Sequence, residues 1–181
     1  TLSKGKIPET PMEKKVAALF PNKTKPEAFG QAAKRVRVQT GLKEHFMEGV
    51  IRSGALIDEF KMIIKSYGLP EDLAYLPCLE SAYDIQTYSK CGAAGLWQFT
   101  HDTGKLFMHI DDVVDQRRDP IVSTHGAAQL LKKNNDKLQN WPMAITAYNH
   151  GLSGMSRAKD KHKTYPAIYT NYRSRSFGFA S

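Results

Sequence analysis

Long apolar runs are missing from this chain of 181 residues. Nothing in it approaches the roughly 20 consecutive apolar residues that a membrane-spanning helix needs. Cysteine is scarce, with only Cys78 and Cys91, which excludes a disulfide-dense scaffold and a four-cysteine zinc site. The histidines form no HExxH or comparable pairing, and no GxGxxG follows a strand pattern, so no metal centre and no cofactor is expected. Sustained strand alternation is absent too. No start methionine or leader-like segment opens the sequence, and the expectation is a mature or trimmed protein.

What is present fits a folded domain. Apolar residues make up 41% and charged residues 24%, and the length suits one domain with a real core. The net charge of +8 is unevenly spread. Residues 1–52 carry 11 basic and 5 acidic groups, residues 53–152 carry 9 and 12, and residues 153–181 carry 6 and 1. A basic frame around a mildly acidic middle suits a polyanionic partner: nucleic acid, an anionic membrane surface or an anionic wall polymer. It also suits a merely solvated surface.

The residue pattern is mainly helical. Pro8, Pro11, Pro21 and Pro26 among lysines predict an extended basic arm over residues 1–35, with one short helix around Met12–Leu19. A domain over residues 36–181 follows. Leu42, Phe46, Val50 and Ile51 mark a helical stripe ending at Arg52. Leu56, Phe60, Ile63, Ile64 and Tyr67 mark a second, stopped by Gly68. Leu69-Pro70 opens a third through Leu73, Leu76 and Leu79 to Glu80, with Pro77 making its start irregular. Asp119-Pro120 caps a helix over Ile121–Leu138, and Trp141-Pro142 opens another through Tyr148. Only Ser89–Phe99, rich in glycine and alanine, is left for a loop or a small β element.

Glu80 ends an apolar helix behind Leu76, Pro77, Cys78 and Leu79. A carboxyl in such surroundings is a candidate for a raised pKa, because desolvation disfavours its ionised form. That is the property a general acid needs near neutral pH; the alternative is a helix-terminal glutamate turned to solvent. Gly92-Ala93-Ala94-Gly95 permits close backbone approach to a ligand. Trp97 and Phe99 offer either sugar-stacking faces or core packing, and Gln98 offers donors and acceptors.

Three segments together carry a resemblance: Glu80-Ser81 after LPEDLAYLP, Ser89–Phe99 (SKCGAAGLWQF), and Ala147–Gly151 (AYNHG) after DQRRD. They resemble the catalytic domain of lytic transglycosylases, in the membrane-bound lytic transglycosylase D-like branch of the soluble lytic transglycosylase and goose-type lysozyme superfamily. The similarity runs from about Arg37 to Ser181. It implies a mainly α, lysozyme-like (goose-type) fold with a substrate cleft, and peptidoglycan glycan strands as the substrate. By the same resemblance Glu80 is the single catalytic acid/base, and Ser89, Gln98, Tyr148 and Asn149 line the sugar site. Trp97 stands where the wider family commonly has methionine.

The reaction so implied cleaves the β-1,4 bond between N-acetylmuramic acid and N-acetylglucosamine and leaves a 1,6-anhydro-muramyl product. A lysozyme-type muramidase of the same fold, acting on native or deacetylated glycan, is the alternative. Asp84, Asp102, Asp111 and Asp112 are the nearest candidates for a second carboxylate, and each reads more readily as a loop or capping residue. The resemblance also implies a periplasmic or secreted, monomeric enzyme, while a nucleic-acid binder would explain the charge and none of the three segments. In an oxidising compartment a Cys78–Cys91 bridge is conceivable; two buried free thiols are the expectation.

Overall fold

The structure is a computed structural model that describes residues 2–21, 24–35, 43–162 and 168. The chain divides into two compact units, Thr1–Leu42 and Lys43–Ser181.

The first unit is more helical than its prolines suggest. A 3₁₀ turn, Leu2–Lys4, precedes helix α1 (Pro11–Ala18) and helix α2 (Pro26–Arg35). Both prolines sit at a first helical position, where the missing amide donor costs nothing. Thr10 and Glu13 complete a reciprocal capping box on α1, with Glu13 N donating to Thr10 Oγ1 at 3.2 Å. The short helix expected around Met12–Leu19 is therefore present one residue earlier. The remainder of the expected extended arm is corrected by α2, whose Phe29 ring lies 4.5 Å from that of Phe20.

The second unit holds α3 (Lys43–Ser53), α4 (Ile57–Ser66), a 3₁₀ turn (Glu71–Tyr75), α5 (Leu76–Glu80), α6 (His101–Gly104), a 3₁₀ turn (Gln116–Arg118), α7 (Pro120–Leu138), α8 (Trp141–His150) and α9 (Leu152–His162). Phe60, Ile64, Leu73, Tyr83, Leu96, Trp97, Phe99 and Leu131 form its main core. A second cluster gathers Leu138, Met143, Ala147, Met155 and Ala158 where α7, α8 and α9 meet. Asp119 accepts from the Ile121 and Val122 amides at 2.9 Å each, capping α7. Asn140 accepts from the Met143 amide at 3.0 Å, capping α8. Such caps contribute about 1 kcal/mol apiece. Gln139, in the left-handed region at φ 50°, and Asn140 turn the chain from α7 straight into α8.

The apolar stripe read on α3 does not become core. Phe46, Val50 and Ile51 are 49%, 44% and 74% exposed, and Leu42 lies outside the described residues. The helix instead packs through its small residues, Gly49 and Ser53. A Cβ at Gly49 would stand 3.0 Å from the Ala82 Cα, so backbone comes against backbone there. The expected irregular start before Glu80 is the 3₁₀ turn that Pro77 then resolves into α5.

Strand content among the described residues is confined to isolated bridges. Tyr88 pairs with Ala94, Ala94 with Phe99, and Ile110 with Asp115, all antiparallel. The first two fall in the Gly/Ala-rich segment left open for a small β element. No helix among the described residues is long and apolar enough to cross a membrane.

Candidate active site

Glu80 is the last residue of α5, and the backbone behind it is unusual. Ala82 and Tyr83 both take left-handed conformations, at φ 49° and 55°. Such conformations cost on the order of 1–3 kcal/mol each in residues other than glycine and persist only where the surroundings dictate them. Here they do. The Ser81 and Tyr83 amides both donate to the Pro77 carbonyl, at 3.0 and 3.2 Å. The Tyr83 hydroxyl donates to the Ala74 carbonyl, and Ser81 Oγ donates to the Leu96 carbonyl at 2.8 Å. Arg52 Nη1 holds the Ala82 carbonyl at 3.3 Å. The turn thus presents Glu80 from a rigid base.

The carboxyl of Glu80 is half-buried. Burial raises its pKa above the ordinary carboxylate value, and the Asn149 amide opposes this by donating from Nδ2 to Oε1 at 3.1 Å. The raised pKa expected of Glu80 is thus present, and the side chain is not turned freely to solvent. Tyr148, one residue earlier on α8, is half-buried, and its hydroxyl donates to the Trp97 carbonyl at 2.7 Å. Its phenol is pushed well above the usual value, first by burial and then by the negative charge of Glu80.

The loop from Ser89 to Phe99 closes on itself. The Ser89 amide donates to the Ala93 carbonyl at 2.8 Å, and the Ala93 amide donates back to Ser89 Oγ at 2.9 Å. Gln98, left-handed at φ 47°, donates from Nε2 to the carbonyls of Thr87 and Gly95 at 3.2 and 2.9 Å. Its amide nitrogen therefore shapes the loop. Trp97 is fully buried, with Nε1 donating to Thr124 Oγ1 at 2.8 Å, and Phe99 is buried as well. The sugar-stacking alternative for those two rings gives way to core packing.

With this geometry in place, the comparison with known families is decisive: residues 59–171 match the transglycosylase SLT domain. The chain belongs to that family. The SLT domain is a lysozyme-like fold, and the mainly helical architecture agrees with it. Among relatives, this SLT chain is 31% identical over 102 residues to the membrane-bound lytic murein transglycosylase D of Escherichia coli (strain K12), covering 55% of this chain and 23% of that protein. It is 34% identical over 110 residues to a protein of Alteromonas sp. (strain M-1) named for tributyltin chloride resistance, covering 59% of this chain and 53% of that protein. The chain thus spans less than a quarter of the first relative and about half of the second.

Within the SLT domain, Glu80, Tyr148 and Asn149 come together, while Ser89 and Gln98 lie in the loop whose Leu96 and Trp97 carbonyls are held by Ser81 and Tyr148. Of the aspartates weighed as a second carboxylate, Asp84 and Asp111 have local structural duties. Asp84 accepts from the Gln86 amide at 2.9 Å. Asp111 accepts from the Val113 and Val114 amides and pairs with His109 at 2.7 Å, which together hold its carboxyl down at about 2. Asp102 lies in the first turn of α6 with a fully exposed side chain, and Asp112 is exposed.

Both cysteines are free thiols. Cys91 is exposed and not buried as expected, because it sits at the tip of the Ser89–Ala93 turn. Cys78 is half-buried, and burial pushes its thiol pKa up. Two of the buried polar residues, Arg117 and Thr124, were given no role by the sequence. Arg117, only 4% exposed, bonds the loop from beneath, and Thr124 anchors Trp97. An arginine in a charged run reads as surface, and the DQRRD segment that contains Arg117 offers no periodicity to say otherwise.

Proposed function

We propose that the chain carries the catalytic domain of a peptidoglycan lytic transglycosylase, formed by residues 36–181 with the basic segment 1–35 flanking it. The observation that carries this reading is the Glu80 carboxyl, lifted above its ordinary pKa by burial and set against Asn149, in a chain of the SLT family. The name of the Escherichia coli relative, a membrane-bound lytic murein transglycosylase, supports the substrate class and placement in the bacterial envelope.

In this reading protonated Glu80 donates its proton to the glycosidic oxygen between N-acetylmuramic acid and N-acetylglucosamine. The bond from that oxygen to the muramyl anomeric carbon breaks, and the N-acetylglucosamine leaves as the alcohol. Positive charge then develops at the anomeric carbon beside a carboxylate that has just become negative. The muramyl 6-hydroxyl oxygen bonds to the anomeric carbon while Glu80 takes its proton, closing a 1,6-anhydro ring and restoring the acid. No water is consumed. One carboxyl suffices because the nucleophile is intramolecular, with the effective concentration that positioning confers, whereas many glycosidases need a second carboxylate.

Asn149 limits how far the pKa of Glu80 climbs, since its amide favours the ionised form that acts as base in the second half of the reaction. Ser89, Gln98 and Tyr148 are proposed to line the sugar site, Ser89 with its hydroxyl hydrogen available to donate. The enzyme is proposed to act as a monomer on glycan strands, with no cofactor and no nucleic-acid partner. Digestion of purified sacculi with product masses recorded tests the reading. Anhydro-muropeptides support it; products heavier by one water would mark a hydrolysing muramidase instead.

A further inference from the structure

The segment that carries Ser89 and Gln98 has almost no regular structure of its own, yet its carbonyls are systematically occupied. Ser81 takes that of Leu96 and Tyr148 that of Trp97. Arg117 takes two more: Nη1 donates to the Gly92 carbonyl at 2.7 Å and to the Phe99 carbonyl at 3.1 Å. One guanidinium therefore ties together the two ends of the Gly92–Phe99 loop. On its other side Asp115 fixes it, with Nε at 2.9 and 3.2 Å from the two carboxylate oxygens and Nη2 at 2.7 Å from Oδ2.

The backbone of Arg117 is engaged as well. A Cβ at Gly95 would stand 2.0 Å from the Arg117 carbonyl oxygen, so the loop rests directly on this residue. Gly92 lies within the turn closed by Ser89, whose carbonyl accepts from the Gly92 amide at 3.0 Å and whose hydroxyl accepts from the Ala93 amide at 2.9 Å. Moving the Gly92 carbonyl moves Ser89 with it.

We propose that Arg117, oriented by Asp115, is a positioning residue that sets the Gly92–Phe99 loop, and through it Ser89, in register with Glu80. The proposal rests on the transglycosylase reading. A lysine cannot replace the arginine, because a single ammonium cannot reach two loop carbonyls and grip a carboxylate with two parallel bonds at once. The guanidinium touches loop carbonyls and Asp115 and acts on the site only through the position of the loop, so its loss falls on turnover more than on substrate affinity.

The test uses the full chain with Arg117→Lys and Asp115→Asn, assayed on soluble glycan fragments below the Tm of each variant. Deuterium exchange is followed over residues 88–99. For Arg117→Lys, kcat is expected to fall about 10²-fold, the scale of a 1 Å misplacement, with KM nearly unchanged. Exchange rises in the 88–99 segment and stays at the wild-type level in α7. Asp115→Asn keeps the guanidinium, which guards against a folding failure of the lysine variant, and it is expected to lose about tenfold in kcat as the charge-assisted grip weakens. An unchanged kcat in the folded variants overturns the proposal whatever happens to the Tm. If the wild-type chain itself left glycan uncut, the functional reading would fall, and loop exchange identical to wild type in both variants would separately overturn the positioning role.

Discussion

The side-chain amide of Asn149 donates to Oε1 of Glu80 at 3.1 Å, joining the last turn of α8 to the last residue of α5 across 69 positions of sequence. Two opposed influences meet at that carboxyl: burial, which raises its pKa, and the Asn149 bond, which lowers it. Burial is the larger. The site thereby holds a proton longer than an exposed glutamate would, while keeping a donor ready for the carboxylate that forms when the proton leaves.

Removing that donor should move the pKa further in the same direction. Asn149→Ala leaves burial in place and deletes the opposing bond, so Glu80 is expected to stay protonated to higher pH. Activity limited by the protonated acid is lost as pH rises through this pKa. The alkaline limb of the kcat/KM profile should therefore shift to higher pH in the variant. A limb that stays in place or moves to lower pH would contradict the assignment.

The same imbalance has a signature in stability. With its folded-state pKa raised, Glu80 binds more protons in the native than in the unfolded chain between its unfolded value of about 4.3 and the folded one. Stability from this group is thus present below that window and declines as pH rises through it. Glu80→Gln has no such decline. Its Tm advantage over wild type should grow on going from about pH 3.5 to about pH 7. A difference independent of pH would mean that Glu80 is not desolvated.

Much of the fold was legible in the sequence where local signals and tertiary packing agree. Asp119-Pro120 gave the start of α7 and Trp141-Pro142 that of α8, because a cap and a first-turn proline act through the backbone alone. The reading failed where packing overrode pattern. The apolar positions of α3 looked like a core face, but close approach to Ala82 needs Gly49, so the small face turned inward. Helix α9 went unread because its sequence is largely polar and only Met155 and Ala158 are buried along it. Glu80 stood out by its apolar surroundings, Tyr148 and Asn149 only by motif resemblance, and the fold brings the three together. Gln98 was expected to serve the cleft, and its amide nitrogen serves the loop. Arg117 left no trace in periodicity, because what buries it is a set of loop carbonyls and not a hydrophobic face.

Two glycines with similar φ should respond very differently to alanine. Gly95, at φ 76°, would drive its new methyl to 2.0 Å from the Arg117 carbonyl, while Gly68, at φ 72°, has nothing within 4 Å of that position. Gly68→Ala is expected to cost only the left-handed conformation, roughly 1–2 kcal/mol. Gly95→Ala adds a backbone collision and should cost about 3 kcal/mol or more, or fail to fold. Denaturant midpoints of the two variants decide the matter; equal losses would mean the loop does not rest on Arg117.

The thiols offer a chemical check on the same corner. Alkylation of unreduced, denatured protein should add two groups. In the native state Cys91, exposed, is expected to react first, and Cys78, half-buried with a raised pKa, to lag. No alkyl groups added to the denatured chain would reveal a bridge and a different arrangement of the loop tip.

The most direct test is digestion of purified sacculi by the wild-type chain and by Glu80→Gln, with released products weighed. The swap is nearly isosteric and preserves an acceptor for Asn149, so the fold is expected to survive while proton transfer is lost. Wild type should release anhydro-muropeptides, and Glu80→Gln should be slower by at least about 10²–10⁴-fold, the contribution of a general acid. A folded Glu80→Gln variant that digests sacculi at the wild-type rate would contradict the assignment of Glu80 as the acid.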